Sequence, residues 1–290
     1  MIERSVTEPI KELGIYDDLK RAMGHKGITH ITGLTDSVRP VFSYALSRNE
    51  DTSLRLFITY DEVRAREIMD ICSLFGREVY YFPPRDIVFY QADLSGNLLI
   101  QRRMQVIKAL NEWDTSYERR SEDLTVVTTF DALMEKMVPM RLISDSIITF
   151  RVGDTLDLEK TAVKLADLGY ERESEAEEAG KFAIRGGILD IYPLTEENPV
   201  RIELWGDEIE SIREYDAMSQ RSVEQLKETV IYPATDFVTD QDARLGAKVK
   251  IEEEGRSFLG SSGRRCGPKP HTGCRLMWMR YAKALSGTRR

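Results

Sequence analysis

Apolar positions along the first half of the chain alternate between two periods. Between residues 6 and 23, Ile10, Leu13, Leu19 and Met23 fall among the apolar positions of one expected helix. Ile28-Thr29-His30-Ile31 is a short β-prone run. Ser37 is placed to cap a helix through Val41, Phe42, Tyr44, Ala45 and Leu46. Leu54 to Thr59 reads as a second strand, Asp61 to Phe75 as a helix stopped by Gly76, and Val79 to Phe82 as a third strand ended by Pro83-Pro84. Ser95 to Asn111 predicts another helix, and Leu124 to Thr129 a fourth, apolar strand. Strands separated by helices of this length imply a parallel α/β sheet with right-handed crossovers.

The pattern then changes. Asp157 to Leu168 predicts one more helix, stopped by Gly169. Closely spaced β runs follow at Phe182–Arg185, Ile188–Tyr192, Val200–Leu204 and Glu208–Tyr215. Gly186-Gly187 and Gly206-Asp207 separate neighbouring runs and are hairpin signals. The expected class is α/β with a small inserted α+β domain. Its parts are an α/β domain over 1–138, the α+β domain over 139–223, the start of a mostly helical acidic segment over 224–254, and a tail over 255–290.

Composition narrows the class. The chain has 290 residues, with 41 Lys and Arg against 49 Asp and Glu, a net charge of −8. At 41% hydrophobic it is a soluble globular composition, long enough for more than one core. No apolar run approaches the ~20 residues of a spanning helix, and no signal peptide is visible at Met1–Ser5. Three cysteines are too few and scattered for a disulfide framework, so a cytoplasmic setting without membrane contact is expected.

The charge is uneven. Residues 255–290 hold nine Lys or Arg and no acid, leaving a net charge of −17 on residues 1–254. So acidic a body opposes non-specific binding to nucleic acid. Four readings of the tail stay open: a basic arm, a metal site through Cys266, His271 and Cys274, a linker, or a non-native end. The metal site lacks a fourth ligand nearby. The abrupt loss of acids favours a linker or a non-native end.

Candidate chemistry is sparse. Gly33 to Pro40 follows a β-prone run and precedes a helix, the frame of a phosphate-binding P-loop. Val38 stands where the second glycine belongs, Arg39 where the lysine belongs, and Pro40 where a magnesium-binding hydroxyl belongs. The frame is kept and the chemistry is lost, so no nucleotide cofactor is expected at Gly33, Val38, Arg39 and Pro40. His25 and His30 read as polar edge positions, and Cys72 as a buried small hydrophobe. The acidic residues of 171–178 lack the spacing and central glycine of a calcium loop and read as a solvated face. No catalytic residue and no metal site is therefore expected.

A recognition face is the sharper possibility. Alternation puts Phe182 and Ile184 on one face of their strand and Ala183 and Arg185 on the other. The same alternation puts Arg201, Glu203 and Trp205 on one side of theirs, and Arg172 lies just upstream of the sheet. Such arginines are either surface charges paired with Glu203 or Asp190, or an interaction hot spot.

The stretches Phe182 to Pro193, Val200 to Asp216 and Ser219 to Ser222 resemble the bacterial transcription-repair coupling factors, in the region shared with the excision-repair helicase UvrB. Tyr81 to Asp86 and Gln101-Arg102-Arg103 are similar to the same module. The resemblance covers about residues 10–240 and implies UvrB-like domains 1A and 2 and the start of 1B. It implies that the parent is an ATP-dependent DNA translocase, using ATP and magnesium, that acts on RNA polymerase and double-stranded DNA. It implies that this chain is no enzyme but recruits the damage-recognition protein UvrA in transcription-coupled nucleotide excision repair. The alternative is a fragment contributing directly to DNA translocation or DNA binding. On matching positions, Arg185 and Arg201 fall where UvrB has UvrA-contacting arginines, with Arg172, Phe182 and Trp205 as softer matches. Ala183 stands where UvrB has a further arginine. The connection from Arg85 to Ser95 is too short for the DNA-clamping hairpin of UvrB.

Overall fold

The computed structural model describes residues 2–24, 27–47, 54–75, 78–85, 95–115 and 124–238. Residues 224–238 of the expected acidic segment fall within them, while 239–254 and the tail over 255–290 lie outside. Helices α1 (Ile2–Lys11) and α2 (Tyr16–Met23) replace the single helix expected over 6–23. The break falls around Gly14, where no neighbour would restrain a side chain, and glycine is a poor helix former. Helix α3 (Val38–Ser47) buries Phe42 and Leu46 against Tyr16.

The strand expected at Ile28–Ile31 does not form: these residues are irregular and exposed. No strand among the described residues pairs with them, and an isolated exposed run gains neither ladder bonds nor burial. The strand of the P-loop frame is therefore missing, although Gly33 does take a positive φ of 86° before α3.

Strands β1 (Leu54–Thr59), β2 (Glu78–Phe82) and β3 (Leu124–Thr129) form a parallel sheet in the order β1-β3-β2. The central β3 is buried throughout, which explains its unbroken apolar and threonine sequence. Helix α4 (Glu62–Ser73) starts at Asp61, whose side chain accepts from the Arg64 N–H at 2.7 Å. It buries Ala65, Ile68 and Cys72 with Val127 and Tyr81. Burial pushes the Cys72 thiol up to about 11, consistent with an inert small hydrophobe.

Helix α5 (Ser95–Thr115) has apolar residues on two sides because it serves two cores. Val106 and Ala109 pack against Phe82, Leu124 and Val126 of the parallel sheet. Met104 and Ile107 pack instead into a larger core with Ile143, Phe150, Leu165 and Ile202. Two short helices, α6 (Phe130–Met134) and α7 (Met140–Ser146), lead from β3 into that second region.

The second region is built on a six-stranded sheet. Its strands are β5 (Glu171–Arg172), β6 (Lys181–Arg185), β7 (Ile188–Ile191), β8 (Val200–Trp205), β9 (Glu208–Tyr215) and β10 (Ser222–Leu226). The order is β10-β9-β8-β7-β6-β5, antiparallel except for the parallel pair β5–β6. Two-residue turns link β6 to β7 and β8 to β9, with positive φ at Gly186 and Gly206 only. That is the type II′ pattern, which needs glycine at its first position. Helix α8 (Leu158–Asp167) covers the sheet with Leu165 and is capped by the Asp157 side chain on the Lys160 N–H.

Strand β4 (Ile148–Arg151) pairs antiparallel with β11 (Glu228–Ile231) as a separate ribbon. Residues 224–231, expected to be mostly helical, are thus extended within β10 and β11. Val230 and Ile231 are β-branched, and their partners in β4 lie about eighty residues upstream, so the local acidic composition was a poor guide.

Candidate docking face on the antiparallel sheet

The register of the six-stranded sheet places Ala183, Asp190, Arg201 and Arg213 in one row across β6, β7, β8 and β9. The next row holds Arg185, Ile188, Glu203 and Ser211. Phe182, Leu189, Ile191, Val200, Ile202 and Ile212 point the other way, into the core. The sheet therefore has one apolar face and one face built from arginines and carboxylates.

Asp190 is the hub of the polar face and has no exposed surface (0%). Arg201 grips it through Nε to Oδ1 at 2.6 Å and Nη2 to Oδ2 at 2.9 Å. Arg185 reaches the same Oδ2 through Nη2 at 2.8 Å and donates its Nη1 to Glu175 at 2.9 Å. A buried carboxylate needs such partners, because a lone ion there is strongly disfavoured. The two arginines differ in access: the Arg201 side chain is 13% exposed and that of Arg185 43%.

Arg201 is fixed from two further directions. Its guanidinium lies 4.4 Å from the centre of the Tyr215 ring, a cation–π contact. Its Nη2 also donates to Gln220 Oε1 at 2.9 Å. Gln220 has a φ of 56°, the one positive value at a non-glycine among the described residues. That backbone cost is sustained by the turn bond from its N–H to the Asp216 carbonyl at 2.8 Å. Hydrogen bonding to Asp190 holds the Arg201 pKa above its ordinary value. Burial, with a smaller contribution from the Asp190 charge, pushes the Tyr215 phenol up to about 12.

The other predicted residues divide. Trp205 stands at the end of β8, 79% exposed, beside the Gly206-Asp207 turn. Phe182 is 1% exposed within the core, so it supports the sheet from behind and offers no surface to a partner. Alternation already sets Phe182 on the strand face opposite Arg185, and packing makes that face the core. Arg172 is exposed on the two-residue strand β5, in register with Phe182, which assigns it to the side opposite Arg185. The face thus unites Arg185, Arg201 and Trp205 but not Arg172 or Phe182. Pairing of these arginines with Asp190, one of the two alternatives open from sequence, is what the structure shows, whereas Glu175, Tyr215 and Gln220 carried no such signal. Asp190 sits in register between Ala183 on one neighbouring strand and Arg201 on the other.

A second arginine cluster joins the two regions. Asp236 Oδ2 accepts from Arg103 Nε at 2.7 Å and from Arg85 Nη2 at 2.8 Å. Arg103 also donates to the Pro83 carbonyl at 2.6 Å and to Glu135 at 3.1 Å, and stacks on Phe82. This cluster is largely buried and reads as a structural tie.

At the loop from Gly33 to Pro40, Val38 and Arg39 are exposed and Pro40 is buried. Arg39 pairs with Asp36 at 3.0 Å and donates to the Leu34 carbonyl at 3.2 Å, so its charge is used within the loop. Cys266, His271 and Cys274 lie outside the described residues. No group of three or more metal-ligating side chains is found among the described residues, and no helix among them is long and apolar enough to cross a membrane.

Residues 148–237 match the family model of the UvrB interaction domain, a span that contains the whole face from Glu175 to Gln220. The chain is 33% identical over 242 residues to the transcription-repair-coupling factor of Bacillus subtilis (strain 168), covering 81% of this chain and 20% of that protein. It is 33% identical over 229 residues to the protein of that name from Staphylococcus haemolyticus (strain JCSC1435), covering 78% and 19%. With the Staphylococcus aureus (strain Mu50 / ATCC 700699) protein it shares 30% over 249 residues, covering 85% and 20%. The chain spans about a fifth of the length of these curated relatives.

Proposed function

We propose that this chain, which belongs with the N-terminal UvrB-like modules of the transcription-repair-coupling factors, is a docking module for the damage-recognition protein UvrA. The observation that carries the reading is the half-exposed Arg185 guanidinium, held beside Arg201 by one fully buried carboxylate. A guanidinium fixed in this way loses little freedom on meeting a partner's carboxylate and offers directed, charge-assisted hydrogen bonds. Trp205, exposed at the end of β8, adds the kind of aromatic anchor that interfaces favour.

In this reading the module recruits excision repair to the parent protein in the cytoplasm and performs no chemistry of its own. Arg39 is engaged by Asp36, and Pro40 has neither N–H nor hydroxyl to give a phosphate or magnesium. The parent would supply ATP-dependent translocation on double-stranded DNA and contact with RNA polymerase through segments beyond this chain. We assign docking to the α+β region of about 139–223 and the degenerate helicase-like role to 1–138.

The test is a binding titration of the full chain against purified UvrA, with Arg185→Ala and Arg201→Ala alongside. Losing one partner of a buried interfacial charge pair typically costs ~2–5 kcal/mol. Arg185→Ala is expected to abolish measurable binding while the protein stays folded. Wild-type affinity in a folded Arg185→Ala variant would refute the assignment. A thermal shift with ATP and magnesium would revive a nucleotide-using role.

A further inference from the structure

We infer that Glu175 is an internal competitor for Arg185, occupying the terminal Nη1 that would otherwise face an acidic partner. This rests on the docking reading above and specifies how that face is regulated. Both terminal nitrogens of Arg185 are engaged: Nη2 is on Asp190 at 2.8 Å, and Nη1 is on Glu175 at 2.9 Å. The two carboxylates differ in kind. Asp190 is fully buried and clamped by Arg201, so it cannot leave. The Glu175 side chain is 49% exposed and sits on a connecting segment, not in the sheet.

That segment is held so that Glu175 stays beside Arg185. Upstream, the Glu173 N–H donates to the Phe182 carbonyl at 2.9 Å, extending the β5–β6 pairing. Downstream, Ala176 is buried and Glu178 pairs with Lys181 at 3.0 Å. The tether gives the Glu175 carboxylate a high local concentration at Arg185, so an incoming carboxylate must displace it. The pair is exposed enough to exchange, as surface ion pairs contribute only modestly. Its role is selectivity: a lone acidic contact gains little, whereas a partner that engages Arg185, Arg201 and Trp205 together displaces Glu175 readily.

Glu177 provides the control. It is exposed, carries the same charge two residues away, and forms no ion pair among the described residues. The experiment titrates the full chain against UvrA as wild type, Glu175→Gln, Glu177→Gln, Arg185→Ala and the Glu175→Gln/Arg185→Ala double variant. Glu175→Gln is expected to tighten binding about two- to fivefold, the range of an exposed pair. Glu177→Gln should leave affinity unchanged, and the double variant should bind no better than Arg185→Ala.

Three results overturn the inference while leaving the docking reading intact, provided Arg185→Ala weakens binding. These are no tightening in Glu175→Gln, equal tightening in Glu177→Gln, or tightening that persists without Arg185. The second and third would mean simple relief of charge repulsion. Wild-type affinity in Arg185→Ala would instead remove the docking reading, and this inference with it.

Discussion

Asp190 and Arg201 stand directly opposite each other on β7 and β8, and Arg201 holds both carboxylate oxygens of Asp190, through Nε at 2.6 Å and Nη2 at 2.9 Å. Because Asp190 is buried, this pair belongs to the folding energetics as well as to the proposed docking face. The same carboxylate aims Arg185 outward.

Asp190→Asn is therefore expected to destabilise the chain by about 3–5 kcal/mol, because it removes the buried charge that both guanidinium groups share. Arg185→Ala removes a half-exposed partner and should cost about 0–1 kcal/mol. Urea unfolding of the two variants checks this: similar midpoints for both would show that Asp190 is not the hub.

Asp236 ties Arg103 of α5 to Arg85 beyond β2, and the Arg103 side chain is almost wholly buried. Asp236→Ala should lower stability by about 3–5 kcal/mol, leaving two guanidinium groups without their shared acceptor. A denaturation midpoint within error of wild type would show that Glu135 alone satisfies Arg103.

Gly169 ends α8 with a φ of 91°, and the Tyr170 N–H bonds back to the Leu165 carbonyl at 3.0 Å in a Schellman closure. A β-carbon here would lie 2.9 Å from Thr235 Cγ2. Gly169→Ala meets both the left-handed penalty and this contact, so a loss of at least about 1–2 kcal/mol is expected in thermal unfolding. A neutral result would mean that the 234–235 segment yields without cost.

Alkaline pH should weaken the fold through its buried phenols. Burial raises Tyr81 and Tyr215 to about 12, and raises Tyr170 as well. A raised folded pKa gives stability that is complete below the unfolded value, about 10 for tyrosine, and is lost as pH rises through the folded value. Stability should thus hold up to about pH 10 and fall above it, with Tyr215→Phe showing a shallower decline. Equal slopes for wild type and Tyr215→Phe would rule out Tyr215 as a contributor.

Local signals in this sequence were reliable where the chain closes on itself over a few residues. The Gly186-Gly187 and Gly206-Asp207 turns, the Asp157 cap and the Gly169 stop each need only neighbours in sequence. They sufficed to outline β6 to β9 and α8, and alternation alone set Arg185 and Arg201 apart from the core side of their strands. Long-range pairing was out of reach of such signals. Ile28–Ile31 has a β-prone composition and forms no strand, whereas β4 and β11 form one ribbon across some eighty residues of sequence. The same distinction governs the polar face of the six-stranded sheet. Residue type and period pointed to its arginines, but Asp190 as their common acceptor, Glu175 as the occupant of Arg185, and Phe182 as core depend on strand register and packing depth. Those are properties of segments meeting in space, because a side chain's burial and its partners are set by what lies across from it and not by its neighbours along the chain.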